Sequence, residues 1–302
     1  MSQTSTAPAI VSVKPVVLPA PERGDDLQVR VSAPIEGENL PVVVFSHGFA
    51  QSLDAYAPLA DHWAQSGFVV LQPTHLDSST LAVTPEDPRY PAIWRTRVHD
   101  LVRILDDLDT LIAAVPGLAG RVDTGRIAAA GHSWGGQTVG TLLGARVLDD
   151  DGRPGEDLSD ARVKAGLLLA ATGVGDDLTP FAAEHFPFMK PDFSALSTPT
   201  LVVAGDKDQS MLSERGPDWF VDPYRLSPGA RALLTLFGGE HTLGGIVGVA
   251  HTQTTDENPE RVALVQRVSV AYLRHELGLD SSEWTTLLQD GVGPNASLEE
   301  KK

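Results

Sequence analysis

Cysteine is absent from the 302 residues. The chain therefore has no disulfide, no thiolate metal site and no cysteine nucleophile. This absence selects no compartment, because a chain of this length buries a sufficient core without staples. Positive charge is scarce: 23 Lys and Arg stand against 40 Asp and Glu, a formal net charge of −17. Such a balance argues against nucleic acid and anionic membranes as partners. Its ordinary use is solubility. No apolar run reaches the length of a membrane span, so no integral membrane association is expected. Met1 to Ala9 is polar and lacks the basic and apolar regions of a signal peptide. The expectation is a cytoplasmic protein, with a processed secreted form as the alternative. The H-E-x-x-H, calcium-loop and P-loop patterns are missing too. Gly173-Val-Gly175 lacks the third glycine of a dinucleotide fingerprint, and Gly244 to Gly248 does not sit between a strand and a helix. Neither a metal nor a cofactor is expected.

What is present is an alternation of strands and helices. Ile10 to Leu18 and Leu27 to Ala33 alternate apolar and polar residues and read as an opening antiparallel pair. Leu40 to Phe45, Phe68 to Leu71, Arg126 to Ala130, Lys164 to Ala170, Thr200 to Ala204 and Ala232 to Phe237 are short apolar runs, as in buried parallel strands. Between them, Asp54 to Ser66, Ile93 to Val115, Gly136 to Leu148 and Pro259 to Leu277 have helical spacing. The fold class is α/β, a mostly parallel sheet with helices on both faces. Residues 1–20 are expected as a flexible N-terminal segment, 21–290 as a single domain, and 291–302 as a disordered tail. Two stretches break the rhythm. One is Pro73 to Pro91; the other is an insertion at about 173–198 carrying Phe181, Phe186, Phe188, Met189 and Phe193. Long loops at strand carboxyl ends form ligand pockets in such sheets. The aromatic insertion reads either as a pocket wall or as ordinary loop packing.

Gly131-His-Ser-Trp-Gly135 fits G-x-S-x-G, with a strand before it and a helix after it. A serine on that sharp turn has its hydroxyl exposed at the carboxyl edge of the sheet. Ser133 is the candidate nucleophile. It needs a base, and the base needs an orienting carboxylate. Downstream histidines are His185, His241, His251 and His275. His241 directly follows the last strand through Phe237-Gly-Gly-Glu240 and is the candidate base. The strand before it ends in Ala204-Gly-Asp-Lys-Asp208. Asp208 is the candidate acid and Asp206 the alternate, the latter reading also as a turn cap. Backbone N–H groups of Phe49 and Trp134 are the candidate oxyanion donors. His47 precedes the serine and reads as a structural, hydrogen-bonding residue.

Val43 to Phe49, Gly67 to His75, Gly131 to Gly136, Leu201 to Asp208 and Gly239 to His241 together resemble the α/β-hydrolases, over about residues 25–280. Within that superfamily the first two segments are most similar to bacterial chlorophyllase-like, dienelactone-hydrolase-like and platelet-activating-factor-acetylhydrolase-like esterases. The resemblance implies the α/β-hydrolase fold and a Ser133–Asp208–His241 triad with the Phe49 and Trp134 amides as oxyanion donors. It implies a carboxylesterase-type serine hydrolase acting on a small-molecule ester. The alternatives are a lipase, thioesterase or cutinase-like polyester hydrolase with the same triad. From another class, the alternative is a non-catalytic ligand-binding protein on the same fold. A dienelactone hydrolase proper would carry a cysteine nucleophile, which this chain lacks.

Overall fold

In the computed structural model the described residues are 8–81, 83–248 and 254–301. Eleven strands appear among them: β1 Ile10–Leu18, β2 Leu27–Pro34, β3 Leu40–Ser46, β4 Val69–Pro73, β5 Val122–His132, β6 Arg146–Val147, β7 Val163–Leu169, β8 Pro191–Asp192, β9 Thr200–Gly205, β10 Ala230–Leu236 and β11 Ala296–Glu300. The helices are α1 Ala57–Gln65, α2 Ile93–Asp106, α3 Leu108–Ala113, α4 Trp134–Leu142, α5 Pro180–His185, α6 Asp222–Leu226, α7 Pro259–Glu276 and α8 Ser282–Asp290. Nine strands form one sheet in the order β1-β2-β4-β3-β5-β7-β9-β10-β11. From β4 to β10 every pairing is parallel, while β1, β2 and β11 run antiparallel to their neighbours. The α/β expectation stands. β3 and β9 are buried at every position, because helices cover both faces. α1 packs with α7, and α2 with α4.

The chain leaves β3 toward β4 on one side and then crosses to β5 on the other. That reversal makes a crevice beyond the carboxyl ends of β3 and β5. There Ser46 is paired with Gly131.

Several expectations change. Within the tail expected to be disordered at 291–302, Ala296–Glu300 pairs with β10, placing Leu298 opposite Leu234. A strand here covers what would otherwise be an open edge of β10. Ile10–Leu18 pairs antiparallel with β2 as its alternation predicts, so the segment expected to be flexible holds a strand. Ile93 to Val115 is two helices, broken at Asp107, whose φ of −105° and ψ of 22° leave the helical region. The helix after the serine ends at Leu142 rather than Leu148, ahead of Gly144 at φ 118°. Arg146–Val147 then turns to pair with Pro191–Asp192. The helix α8 had no counterpart in the sequence reading.

Candidate active site

Ser133 sits between β5 and α4 with φ 55° and ψ −123°. A non-glycine residue there costs about 1–3 kcal/mol, and such strain persists only where the surroundings impose it. The two motif glycines show why the turn is so tight. A Cβ on Gly131 would lie 2.1 Å from the Gly135 carbonyl oxygen. One on Gly135 would lie 2.0 Å from the Ser46 carbonyl oxygen, on the neighbouring strand. Only hydrogen fits at either position. The Ser133 N–H donates to the Leu169 carbonyl at 2.9 Å, tying the turn to β7.

The structure brings together three of the predicted residues. The Ser133 hydroxyl lies 2.9 Å from His241 Nε2. On the other side of the ring, His241 Nδ1–H donates to Asp208 at 2.9 Å (Oδ2) and 3.2 Å (Oδ1). Asp208 is fully buried, and burial lifts its carboxyl above the usual range, opposed by the hydrogen bond from His241. Asp206 is not at the ring. It accepts from the Gly238 N–H at 2.6 Å and holds the turn after β10. His185 donates from Nδ1 to the Phe181 carbonyl at 3.0 Å. His275 bonds Ser281 at 2.9 Å. His251 lies outside the described residues.

The loop after β3 passes directly over the serine: a Cβ on Gly48 would be 3.5 Å from that of Ser133. The amides of Phe49 and Trp134 make no hydrogen bond to any described residue, so both remain available as donors. A buried charged cluster holds this loop from beneath. Arg97 and Asp77 are both inaccessible and form an ion pair at 2.6 Å. Arg97 also donates to the His47 carbonyl, to Ser46 Oγ and to Thr138 on α4. Its guanidinium lies 4.8 Å from the centre of the Trp134 ring. Asp77 accepts from the Ala50 N–H at 3.1 Å. One ion pair thus fixes both elements that carry the two free amides. His47 is structural, as expected: Nδ1–H donates to the Gly48 carbonyl at 2.7 Å, and Nε2 accepts from the His75 N–H at 3.0 Å.

Acid weakens this cluster through His47. Burial, with Arg97 adding positive charge nearby, lowers its pKa to about 4. The unfolded ring protonates near 6.5. The contribution is therefore present above that value and lost as pH falls, by about 3 kcal/mol at the lower end. His75, held well below its ordinary value by burial and Arg97, adds to the loss. Asp100, lifted to about 7 by burial against the pull of Arg23, offsets part of it, because its folded carboxyl keeps a proton that the unfolded one releases. The urea midpoint should drop between about pH 6.5 and about pH 4.5, and drop less in His47→Asn. Equal drops in the two proteins would remove His47 from the account.

Above the serine opens a cavity of about 630 Å³, within the range of small-molecule sites. Phe181, Phe186 and Met189 from the insertion line it, with Phe49, Met211 and Leu212. Phe188 instead stacks on Trp134 at 5.2 Å, and Phe193 joins the main core. The insertion therefore does both things the sequence suggested. No Asp, Glu, Lys or Arg is among the described lining residues. Thr172 lines the same cavity, and its hydroxyl is buried without a hydrogen-bond partner among the described residues. Sequence reasoning missed Gln209 to Leu212, which line the cavity just beyond Asp208. It also missed Tyr56, whose only sequence signal is its place at the start of α1. Pro73 to Pro91 contributes His75 and Asp77 to the buried cluster and none of its described residues to the lining.

A strained serine between strand and helix, at the carboxyl edge of a mostly parallel sheet, defines the α/β-hydrolase architecture. A model of the alpha/beta hydrolase family matches residues 43–290, and the chain belongs to that family. It is similar to the platelet-activating factor acetylhydrolase of Gallus gallus, at 24% identity over 86% of this chain and 67% of that protein. It is also similar to the platelet-activating factor acetylhydrolase of Cavia porcellus, at 21% identity over 84% of this chain and 62% of the relative. The chain thus spans about two thirds of the length of these relatives. No helix among the described residues is long and apolar enough to cross a membrane.

Proposed function

We propose that this protein is a serine carboxylic ester hydrolase. The observation that carries the reading is the hydrogen-bonded line from Ser133 through His241 to Asp208, beside two free backbone amides. Ser133 Oγ attacks the ester carbonyl while His241 Nε2 takes its proton. Negative charge gathers on the carbonyl oxygen, where the Phe49 and Trp134 N–H groups stabilise it. His241 passes the proton to the departing alcohol. Water, activated by the same nitrogen, then attacks the acyl-enzyme and releases the acid. Asp208 keeps Nδ1 protonated, so that Nε2 is the acceptor.

Among the described residues the lining holds no Asp, Glu, Lys or Arg, which supports an uncharged ester of small to medium size. The relatives' name supports an acetyl ester as the first substrate to try. A fluorophosphonate probe should label the protein once, on the peptide holding Ser133, and abolish hydrolysis of p-nitrophenyl acetate in proportion. A folded protein that takes up no probe is the non-catalytic binder, and the proposal is then wrong.

A further inference from the structure

The residue between Gly131 and Ser133 is a histidine with no part in the steps above. His132 is buried, and both ring nitrogens are engaged. Nε2 faces the His241 carbonyl oxygen at 2.7 Å, so it carries the proton and donates. In the neutral ring Nδ1 is then an acceptor, and it lies 2.8 Å from the Tyr56 hydroxyl. Tyr56 donates there, and its oxygen accepts from the Gly48 N–H at 3.0 Å. A chain of three hydrogen bonds runs from Gly48, next to the Phe49 amide, to the backbone of His241.

A second observation singles out the same tyrosine. Tyr56 is a buried aromatic at φ 64° and ψ 23°, at the start of α1. A left-handed conformation is costly for so bulky a residue. It is held by a hydrogen bond from the Tyr56 N–H to the Val247 carbonyl at 2.8 Å. The strain aims the ring at Gly48, where an added Cβ would lie 2.9 Å from the hydroxyl.

We propose that Tyr56 and His132 are positioning residues that lock the oxyanion loop to the base-bearing loop, fixing the Phe49 amide and His241 relative to Ser133. The inference rests on the ester hydrolase reading. Neither side chain exchanges a proton with substrate; each acts through the backbone it holds.

The test compares Tyr56→Phe, His132→Gln and the double variant with wild type on p-nitrophenyl acetate. Phenylalanine keeps the ring and meets the same backbone cost. Glutamine keeps a donor toward the His241 carbonyl and has no acceptor at the Nδ1 position that faces Tyr56. Turnover is expressed per serine titrated by a fluorophosphonate, so that only folded sites count. Each single change should lower kcat roughly 10- to 100-fold while KM stays within about threefold, since small displacements of reacting groups act on the chemical step. The double variant should lose no more than the worse single one, because a chain broken once is already broken. Unchanged kcat per titrated serine in both singles overturns the proposal, and so do losses that multiply in the double. Wild type that neither hydrolyses ester nor takes the probe removes the hydrolase reading, and this inference with it. Labelled wild type with unaffected variants removes the chain alone.

Discussion

Ser133→Ala should reduce turnover of p-nitrophenyl acyl esters by roughly five to six orders of magnitude, leaving a folded protein. The size of the effect follows from what the hydroxyl does. It forms the covalent bond, and no other described side chain stands 2.9 Å from His241 Nε2 to replace it. Histidine and the two amides would remain, but they would act only on adventitious water. The fold is spared because the hydroxyl makes no structural bond beyond that to His241. The turn is held by the Ser133 N–H to Leu169 and by the contacts of Gly131 and Gly135. Alanine meets the same φ of 55°. Thermal melting within a few degrees of wild type, with hydrolysis at background, is the expected pair of results. Turnover within about tenfold of wild type would exclude Ser133 as the nucleophile.

Asp208→Asn should cost about four orders of magnitude in kcat, and Asp206→Asn only a few-fold. An asparagine amide facing Nδ1 donates where the carboxylate accepted. The ring is then driven to carry its proton on Nε2, and it no longer accepts from Ser133. Asp208 is buried at the end of β9 with both oxygens toward the ring, so the substitution acts directly on the base. Asp206 accepts from the Gly238 N–H instead, and asparagine can accept there through its own oxygen. The pair of variants, matched in shape and charge change, separates an effect on His241 from a general effect of losing an acid in this loop. A greater loss for Asp206→Asn would reverse the assignment.

Much of the site was legible in the chain because each part announces itself locally. Ser133 lies in a pentapeptide whose glycines stand where an added Cβ would lie 2.0–2.1 Å from a backbone oxygen. His241 and Asp208 each follow an apolar strand through a glycine turn, so a reading of strand ends reaches them. The lining was less legible. Met211 and Leu212 carry no pattern that distinguishes a pocket wall from a surface loop. Phe188 and Phe186 are two residues apart, yet one stacks under Trp134 while the other faces the cavity. The tail failed for a related reason: Ala296 and Leu298 are too short an alternation to signal a strand until β10 is there to pair with.

The sequence by itself determined the alternation of the central parallel strands with helices, the absence of thiol chemistry, and Ser133 and His241 as two of the side chains that meet at the sheet edge. Those features depend on residue type and local spacing, which the chain carries in one dimension. Tertiary structure alone set Asp208 against the His241 ring and Asp206 against the Gly238 N–H, because a hydrogen bond depends on direction and the two carboxylates point to different partners. It alone joined Arg97 to the loop at Gly48, and Tyr56 to His132 and His241. These contacts link residues from 50 to 109 positions apart. A buried polar group must find a partner wherever the fold supplies one, and no local pattern records which one it will be.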